Sequence, residues 1–491
     1  KRCNTVMPIK RYTAKANNTI TNAFFDDGVS SVRATGSNSG RADVLEVFSI
    51  YGRNTTSSVE LSRALLDFPV STIVSDRASG TIPASGSVEF ILKMYNAESV
   101  FTLPSNFNLV VRPISASWEE GIGVDLETRQ DLTFNNQGSN WVRASKSAAW
   151  ATAGGDYLTA SNFTQTFVEG TENLEIDVSS LVEDWVNNTY NRYGVGVFLS
   201  SSFEGSSSVN PSGATVSYAT KRFFGRKSEN FFKRPVIEAR WNNSKKDDRS
   251  NFYLSSALAP ASDNKNTLFL YNFVRGRLAN IPAIGTGNIY VDLYQTLGGS
   301  RLTQAITTPA TGGYVSTGIY SCSVSIAGAY TTLRDVWYSG STQYFTGSIS
   351  TKTFGASTGV VSDQKIITLP NLRHTYDPDE KALVRVNISN KVKNPTIYTV
   401  ATSNNNTIIV EDVVYKIVRN YDNLDVIPYG TGSTRFTELS YDSTGSYFTL
   451  DCDNLETNYE YRLHFAIYDS FNEAWDEHPS SFKFKLSSEQ T

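Results

Sequence analysis

The chain has 491 residues, of which 40% are hydrophobic, so it can build several buried cores and is too apolar to be disordered throughout. A formal net charge of -4 provides no long-range attraction to a phosphate backbone, so we expect no nucleic-acid partner. Charged residues make up only 19%, whereas Tyr (26) and Phe (27) are plentiful, a balance typical of an all-β protein with polar loops.

The beginning of the sequence and the cysteines bear on the compartment. Lys1 and Arg2 are followed by no apolar run, so we expect no signal peptide, and no stretch is long enough for membrane insertion. Cys3, Cys322 and Cys452 fall in three different parts of the chain, so no disulfide is expected within a domain. Free thiols favour folding in a reducing cytoplasm.

The first predicted domain, residues 1–243, consists mainly of strands. Strong strand patterns occupy residues 44–48, 63–68, 88–95 and 107–114. Each strand has one apolar face, which predicts half-buried antiparallel sheets.

One short helix is predicted in this domain, beginning at Ser180. Ser180 precedes Glu183 by three residues, which is the spacing of a capping box. Leu181, Val182 and Trp185 fall on one face of the helix. We therefore expect the helix to lie on a sheet, with Trp185 buried beneath it.

Two tryptophans and three acids form the candidate glycan-binding set of this domain. Trp118 and Trp141 have aromatic faces that match a sugar ring, although burial in the core explains them as well. Glu119, Glu120 and Asp125 suit calcium, but solvated loop charges are the alternative, since calcium needs about six to eight oxygen ligands. The same acids would serve a glycosidase only at a separation that sequence does not determine. No cofactor is predicted, with a structural calcium ion as the alternative.

The first half of the chain also carries several motifs in a recognisable order. They are the Arg63-Ala64-Leu65-Leu66-x-Phe68 strand, the Trp118-Glu119-Glu120-Gly121 loop, the Asp177-Val178-Ser179-x-Leu181-Val182-x-x-Trp185 helix, the Tyr193-Gly194-Val195 turn and the Arg234-Pro235 closing strand. This order resembles a DNRLRE-type β-sandwich domain, although the acidic-Asn-Arg signature of that family is not intact here. The resemblance implies a jelly-roll fold like that of carbohydrate-binding modules, found in bacterial surface proteins and phage virion proteins.

Residues 222–227, which read RFFGRK, form a basic and aromatic patch. The patch is too short for a nucleic-acid platform, which would need a groove of such residues. We expect an exposed loop or a contact between subunits.

The second half of the chain divides into a linker and two further domains. Residues 241–251 read WNNSKKDDRSN, without an apolar side chain after the tryptophan, which predicts a linker over residues 244–265. Strand patterns and glycine turns over residues 266–362 suggest an immunoglobulin-like sandwich. We expect Trp337 to lie in the core of this domain.

Residues 363–491 form the third predicted domain. Residues 459–468 are the longest clean alternation in the chain, which predicts a half-buried strand. Leu455, followed by Asn458-Tyr459-x-Tyr461, resembles the leucine-turn-tyrosine entry into a strand of fibronectin type III sandwiches. The acids of residues 451–456 suggest part of a calcium loop, but a turn explains them more simply.

The function predicted from these patterns is structural. No nucleophile elbow, phosphate loop, zinc motif or dinucleotide fingerprint occurs, so we predict no enzyme. The tandem sandwiches resemble virion proteins of tailed phages, particularly of marine myovirus type. That resemblance implies a virion localisation after assembly in the host cytoplasm, with other virion proteins and further copies in a symmetric assembly as partners, and possible host glycan. The alternatives are a carbohydrate-binding adhesin or receptor-binding protein and, third, a depolymerase.

Overall fold

A computed structural model describes residues 8–25, 32–51, 59–99, 105–124, 137–204, 218–304, 308–352, 365–391, 407–470 and 472–487. The chain forms two compact units, Pro8–Trp241 and Asn242–Thr491. Thirty strands and three α-helices occur in the described ranges, so the predicted all-β class with sandwich sheets is confirmed. The predicted domain boundaries at residues 243, 265 and 362 stay predictions.

The N-terminal unit, Pro8–Trp241, is built from antiparallel strands. They are β1 (Ile9–Thr13), β2 (Ala16–Thr21), β3 (Val44–Tyr51), β4 (Val59–Asp67), β5 (Glu89–Met94), β6 (Phe107–Pro113), β7 (Phe163–Phe167), β8 (Leu174–Asp177), β9 (Val195–Leu199), β10 (Tyr218–Phe224) and β11 (Val236–Arg240).

These strands form two sheets. The four-stranded sheet has the order β1-β11-β5-β8, and the seven-stranded sheet has the order β10-β3-β4-β9-β6-β7 with β2 paired to β4. Residues 59–66 of β4 are all buried, so this strand is covered on both faces instead of the one expected for a half-buried sheet. A layer of loops, described below, provides the second cover.

The described part of this unit contains three helices, α1 (Val70–Ala78), α2 (Ser179–Val186) and α3 (Ser201–Glu204), where the sequence predicted one. The predicted helix is α2, and its Trp185 is fully buried as expected. Helices α1 and α2 lie side by side, and α2 also packs on β5. None of the helices in the described ranges is long and apolar enough to cross a bilayer.

The predicted capping box of α2 is wrong. The helix begins at Ser179, whose N–H donates to Asp177 Oδ1 at 2.8 Å, and Glu183 accepts from Arg77 of α1, at 2.5 and 2.6 Å, instead of capping the helix. Both helices end in the same way, with a left-handed residue, Gly80 (φ 73°) after α1 and Asn188 (φ 58°) after α2. In each case the two backbone hydrogen bonds of a Schellman motif satisfy the last carbonyls.

The C-terminal unit, Asn242–Thr491, contains two sandwiches in its described part. The strands of the first, which we call the middle sandwich, are β12 (Phe252–Tyr253), β13 (Asn266–Tyr271), β14 (Phe273–Val274), β15 (Arg277–Leu278), β16 (Ile289–Tyr294), β17 (Ala310–Ser316), β18 (Ile319–Val324), β19 (Thr332–Ser339) and β20 (Thr342–Lys352).

The middle sandwich is one continuous sheet in the order β12-β20-β19-β16-β17-β18-β13, with β14 and β15 forming a separate hairpin. The Asn266 side chain joins the two end strands, since it accepts from the Tyr253 N–H (2.8 Å) and donates to the Tyr253 carbonyl (2.9 Å). Trp337 is fully buried in the core, as predicted, together with Tyr320.

The strands of the last sandwich are β21 (Lys365–Thr368), β22 (Thr375–Tyr376), β23 (Lys381–Asn390), β24 (Val413–Arg419), β25 (Leu424–Ile427), β26 (Ser440–Asp442), β27 (Gly445–Asp451), β28 (Glu460–Asp469), β29 (Ala474–Glu477) and β30 (Phe482–Leu486). They form two sheets, β21-β23-β27-β26 and β22-β30-β28-β24-β25, with β29 paired to β28.

A tyrosine corner opens β28 of the last sandwich. The Tyr461 hydroxyl donates to the Glu456 carbonyl at 2.8 Å, which is the contact that marks this position in immunoglobulin-type sandwiches. The leucine-turn-tyrosine prediction at Leu455 and Tyr461 therefore corresponds to a formed contact. Residues Cys452–Asn454 form a 3-10 turn, and Asp451 pairs with Lys381 at 2.6 Å. The acids of this segment thus belong to a turn.

Candidate functional site

The predicted ligand residues lie in a layer of loops, residues 114–124 and 137–157, that covers one face of β4. Trp141 is fully buried at the centre of this loop layer and packs with Leu61 and Leu65 of β4. Trp118 is half-buried at its edge, and its Nε1 donates to the Tyr193 carbonyl at 2.8 Å. A ring without an exposed face cannot stack on a sugar from solution. Of the two predicted tryptophans, only Trp118 is therefore in a position to contact a ligand.

The predicted acids divide between solvent and an ion pair. Glu119 is exposed, and its carboxylate accepts from the Lys146 N–H at 3.2 Å. Glu120 forms a two-point ion pair with Arg226, in which Nη2 lies 2.5 Å from Oε2, and it also accepts from the Asn17 N–H at 2.9 Å. The hydrogen bonds that Arg226 donates to the Glu120 carboxylate raise the pKa of Arg226. The structure brings Trp118, Glu119 and Glu120 together, whereas Asp125 lies outside the described residues.

A buried asparagine holds the loop that carries these residues. Asn38 Nδ2 donates to the carbonyls of Glu120 and Ser139, at 2.8 Å each, and Oδ1 accepts from the N–H groups of Gly123 (2.9 Å) and Gly40 (3.2 Å). A Cβ on Gly123 would lie 1.7 Å from the Asn38 carbonyl oxygen, so only glycine fits there. The backbone around Glu120 is thereby fixed before any ligand arrives.

The loop layer is attached to β4 through a buried arginine. Arg63 Nε and Nη2 donate to the two carboxylate oxygens of Glu204, at 2.9 and 2.5 Å, and Nη1 donates to the Gly154 carbonyl at 2.9 Å. The guanidinium also lies 5.3 Å from the ring of Trp141 and 4.8 Å from that of Phe198. Burial alone would lower the pKa of Arg63, but the Glu204 carboxylate outweighs it and raises the pKa. Trp141 therefore has a structural contact to this cation.

The basic patch of residues 222–227 is used inside the unit. Residues 222–224 belong to β10, and Phe223 is fully buried. Arg222 Nη2 lies 2.7 Å from Glu46 Oε1, and Arg226 pairs with Glu120. The expected exposed loop is confined to residues 225–227, with Lys227 exposed, whereas residues 222–224 are strand and both arginines form ion pairs.

Metal-ligand residues and cysteine thiols bear on the chemistry open to the described part of the chain. Within the described ranges, no group of three His, Cys, Asp or Glu side chains is placed to hold a metal ion. Because Asp125 is outside these ranges, the calcium alternative stays a prediction. Cys322 and Cys452 are free and buried, and burial raises the pKa of each thiol to about 12. A thiol with such a pKa is a poor nucleophile at neutral pH.

Residues 242–254, which we call the junction segment, lead into the middle sandwich and contact both the middle and the last sandwich. Its first half pairs with the last sandwich: the Asp247 N–H donates to the Tyr441 carbonyl (3.1 Å), and the Tyr441 N–H donates to the Lys245 carbonyl (3.0 Å). Lys246 Nζ lies 2.9 Å from the buried Glu438 carboxylate. Burial would raise the pKa of Glu438, but Lys246 and neighbouring donors lower it. The segment thus forms a single parallel β-bridge, Lys246 with Tyr441, on the edge strand β26.

The second half of the junction segment enters the middle sandwich. Arg249 donates to Asp335 (2.7 Å), to Asp247 (2.5 Å) and to the carbonyl of Phe269 on the edge strand β13 (2.6 Å). Asp248 accepts from the Tyr441 hydroxyl (2.7 Å) and from a backbone N–H of β13 (2.6 Å), so it bridges the two sandwiches. The stretch predicted as a linker over residues 244–265 thus contains buried ion pairs.

Sequence reasoning overlooked Arg63, Asn38 and Arg249, which organise these two regions. Each is a polar residue whose partners lie far away in the chain, as Glu204 lies 141 residues from Arg63. One signal was present, since Arg63 takes an apolar place in the alternation of Leu61 and Leu65, and a buried charge at such a position requires a partner.

Comparisons with known proteins do not identify a family for this chain. No family model matches the chain, and no curated protein matches it. Among solved structures, the Ig1-2 module of the Drosophila receptor protein tyrosine phosphatase DLAR matches at 8% identity, covering 46% of this chain and 91% of that chain, with a TM-score of 0.15. The Yersinia pseudotuberculosis adhesin InvE matches at 8% identity, covering 48% of this chain and 56% of that one, with a TM-score of 0.16. Likenesses with TM-scores this low carry no argument about the fold or function of this chain.

Proposed function

We propose that the chain is a non-enzymatic structural component of a phage virion, accessory to the neck, tail, baseplate or fibres, that acts by docking to other proteins. The observation that carries the proposal is the junction segment, residues 242–254, which ties two successive sandwiches together through buried ion pairs. Contacts between neighbouring domains are by default small and mobile. A component that holds other proteins at fixed positions needs rigid contacts between its domains.

The buried charges of the junction segment support this role by fixing geometry. Arg249 contacts Asp247, Asp335 and the Phe269 carbonyl at once, and Trp337 Nε1 donates to Asp335 at 2.7 Å. Because desolvation offsets much of the attraction in such pairs, they add little net stability but penalise any other arrangement. Two sandwiches joined in this way make a stiff element for a large assembly.

The proposed location is the virion, after folding in the host cytoplasm. The buried free thiols of Cys322 and Cys452 support folding in a reducing compartment. The proposed partners are other virion proteins and further copies of the chain in a symmetric assembly, without nucleic acid and without membrane insertion.

Mass spectrometry of purified particles tests the proposal. We expect peptides from both units, in a constant ratio to the major structural proteins across a density gradient. Particles that lack the chain, or that lose it on washing while they keep all their other proteins, would contradict the proposal.

A carbohydrate-binding adhesin or receptor-binding protein is the second candidate, because Trp118 is only half-buried and stands next to the exposed Glu119. On this alternative, a glycan array shows micromolar binding that Trp118→Ala abolishes. Tyr421→Ala is the control, since Tyr421 is an exposed ring in the last sandwich. Trp141→Ala would remove a fully buried ring and so does not separate binding from folding.

A further inference from the structure

We propose that copies of this chain associate head to tail, with a hairpin of the middle sandwich in one copy docking on an acidic edge strand of the last sandwich in the next. This inference rests on the proposed docking function and names the partner as a second copy of the chain. The two surfaces are the arginine hairpin, residues 273–278, and the acidic strand, residues 473–477.

The arginine hairpin projects from the middle sandwich in a defined shape. Strands β14 and β15 pair through Phe273 with Leu278, and Arg275 (φ 50°) and Gly276 (φ 74°) make the left-handed two-residue turn. At the base, Asn272 Nδ2 donates to a carbonyl of the returning chain at 2.7 Å, and the Asn272 N–H donates to the β17–β18 turn at 2.7 Å. A hairpin held in this way loses little conformational freedom on binding.

The side chains of this hairpin suit a protein contact. Phe273 and Val274 are 61% and 51% exposed, although both are apolar. Arg275 and Arg277 are exposed and form no ion pair with any residue that the structure describes. Adjacent apolar side chains next to two free cations favour a partner with an apolar centre and acidic rim.

The acidic strand has the complementary character. Glu473 and Asp476 are exposed and without an ion pair in the described ranges, whereas Glu477 pairs with Lys416 at 3.1 Å. Between them Trp475 is half-buried, with its ring 5.3 Å from that of Tyr468 and 5.5 Å from the Arg435 guanidinium, whose charge Asp412 and Glu438 balance. Strand β29 pairs only with β28, so its other edge has no neighbour among the described strands. Two acids without ion pairs beside an open strand edge match the charge of the arginine hairpin.

The two surfaces differ, so a contact between copies is heterologous. Each copy uses its hairpin toward one neighbour and its acidic strand toward the other. Such contacts close into a ring when the rotation between copies allows it and otherwise form a filament. Both products suit a component of a symmetric particle.

Charge reversal with mixing tests the inference in the full chain. We expect R275E/R277E and E473K/D476K each to weaken self-association in sedimentation equilibrium at least about tenfold, since like charges then face each other. An equimolar mixture of the two variants restores association, because every mixed contact again pairs opposite charges. A variant that fails to fold cannot be rescued by mixing, so rescue separates a lost contact from a lost fold.

The control is K265E/R334E, which reverses two exposed cations elsewhere on the middle sandwich and leaves association unchanged. A wild-type chain that stays monomeric at all concentrations, or variants that associate like wild type, would overturn the inference. Neither result would remove the chain from purified particles, so the proposed virion role is judged separately. Conversely, the chain could self-associate normally and yet be absent from purified particles. That result would support the contact between copies and overturn the proposed virion role.

Discussion

Glu238 lies on the central strand β11 of the four-stranded sheet and is fully buried, yet cations surround its carboxylate. Arg11 Nε donates to it at 2.9 Å and Arg240 Nη2 at 2.6 Å, while Lys93 lies on the neighbouring strand β5. Burial alone would raise the pKa of Glu238, but Lys93, Arg11 and Arg240 together lower it to about 2. The fold therefore holds this carboxylate as an anion.

Acid should weaken this cluster in a defined pH range. The folded-state pKa of about 2 is below the roughly 4.3 of an unfolded glutamate, so the stabilisation is complete above pH ~4.3 and is lost as the pH falls toward about 2. We expect Glu238→Gln to lower the free energy of unfolding of the N-terminal unit by about 3–5 kcal/mol at pH 7. The difference from wild type should shrink between pH ~4.3 and ~2. Urea unfolding at each pH measures it, with exposed Glu229→Gln as the control.

The stability contributed by Asp247 in the junction segment should change with pH in the opposite direction to that contributed by Glu238. It shares Arg249 with Asp335, and burial, helped by Asp335, raises the pKa of Asp247 to about 6 despite the arginine. Since an unfolded aspartate titrates near 3.9, its contribution to stability is complete below pH ~3.9 and is lost as the pH rises through about 6.

Hydrogen exchange of the junction segment measures this contribution. After correction for intrinsic exchange rates, we expect the protection of residues 247–253 to increase from pH 7.5 to pH 5 in the wild type. Asp247→Asn should reduce the dependence, leaving the part due to Asp248, whose pKa burial also raises, and exposed Asp263→Asn should keep it in full. If the Asp247→Asn variant followed the wild-type profile, the assignment to Asp247 would be wrong.

At the scale of elements, the sequence predicted helices and strands only where a local residue pattern indicates them. Helix α2 was predicted from its apolar face, but its capping box was not formed because Glu183 pairs with Arg77 on α1. Helix α1 was missed, although Pro69 before it and Gly80 after it are the usual boundary residues. The ion pair between the helices depends on tertiary contact, which no local pattern reports.

The junction segment shows the same limit for polar sequence. Its charged composition predicted a linker, whereas Arg249 is buried among two carboxylates and a carbonyl. A run of charged residues is solvated unless residues distant in sequence pair with it. The distant partners of Arg249 lie on strands β13 and β19. Even Gly347 on β20 has a role here, because a Cβ would lie 2.3 Å from Asp335 Oδ1.

Removing the cation of the junction segment should uncouple the two sandwiches. Arg249→Met leaves Asp247 and Asp335 buried without a counter-charge, which we expect to cost about 3–5 kcal/mol in the C-terminal unit. Calorimetry should show its unfolding transition broaden or split, and adding Asp335→Asn should recover part of the loss. Exposed Arg334→Met on β19 is the control. An unchanged single transition in Arg249→Met would contradict a structural role for this arginine.

At the scale of the whole molecule, composition and alternation were enough for the all-β class and for the buried positions of Trp185 and Trp337. The candidate site was less predictable. Trp118 and Trp141 read alike in sequence, yet one is half-buried and the other fully buried, because the loop layer on β4 is held by Arg63 and Glu204 from distant segments. The exposed fraction of each tryptophan is therefore set by contacts between residues that are far apart in the sequence.

The central claim is that this chain works by docking to other proteins. Electron microscopy of the purified full-length chain, at low salt and over a range of concentrations, tests it most directly. We predict rings or filaments with a uniform repeat, which disperse in R275E/R277E and re-form when E473K/D476K is added. Dispersed single copies at every concentration, combined with release of reducing sugar from host polysaccharide, would contradict the claim and favour a depolymerase.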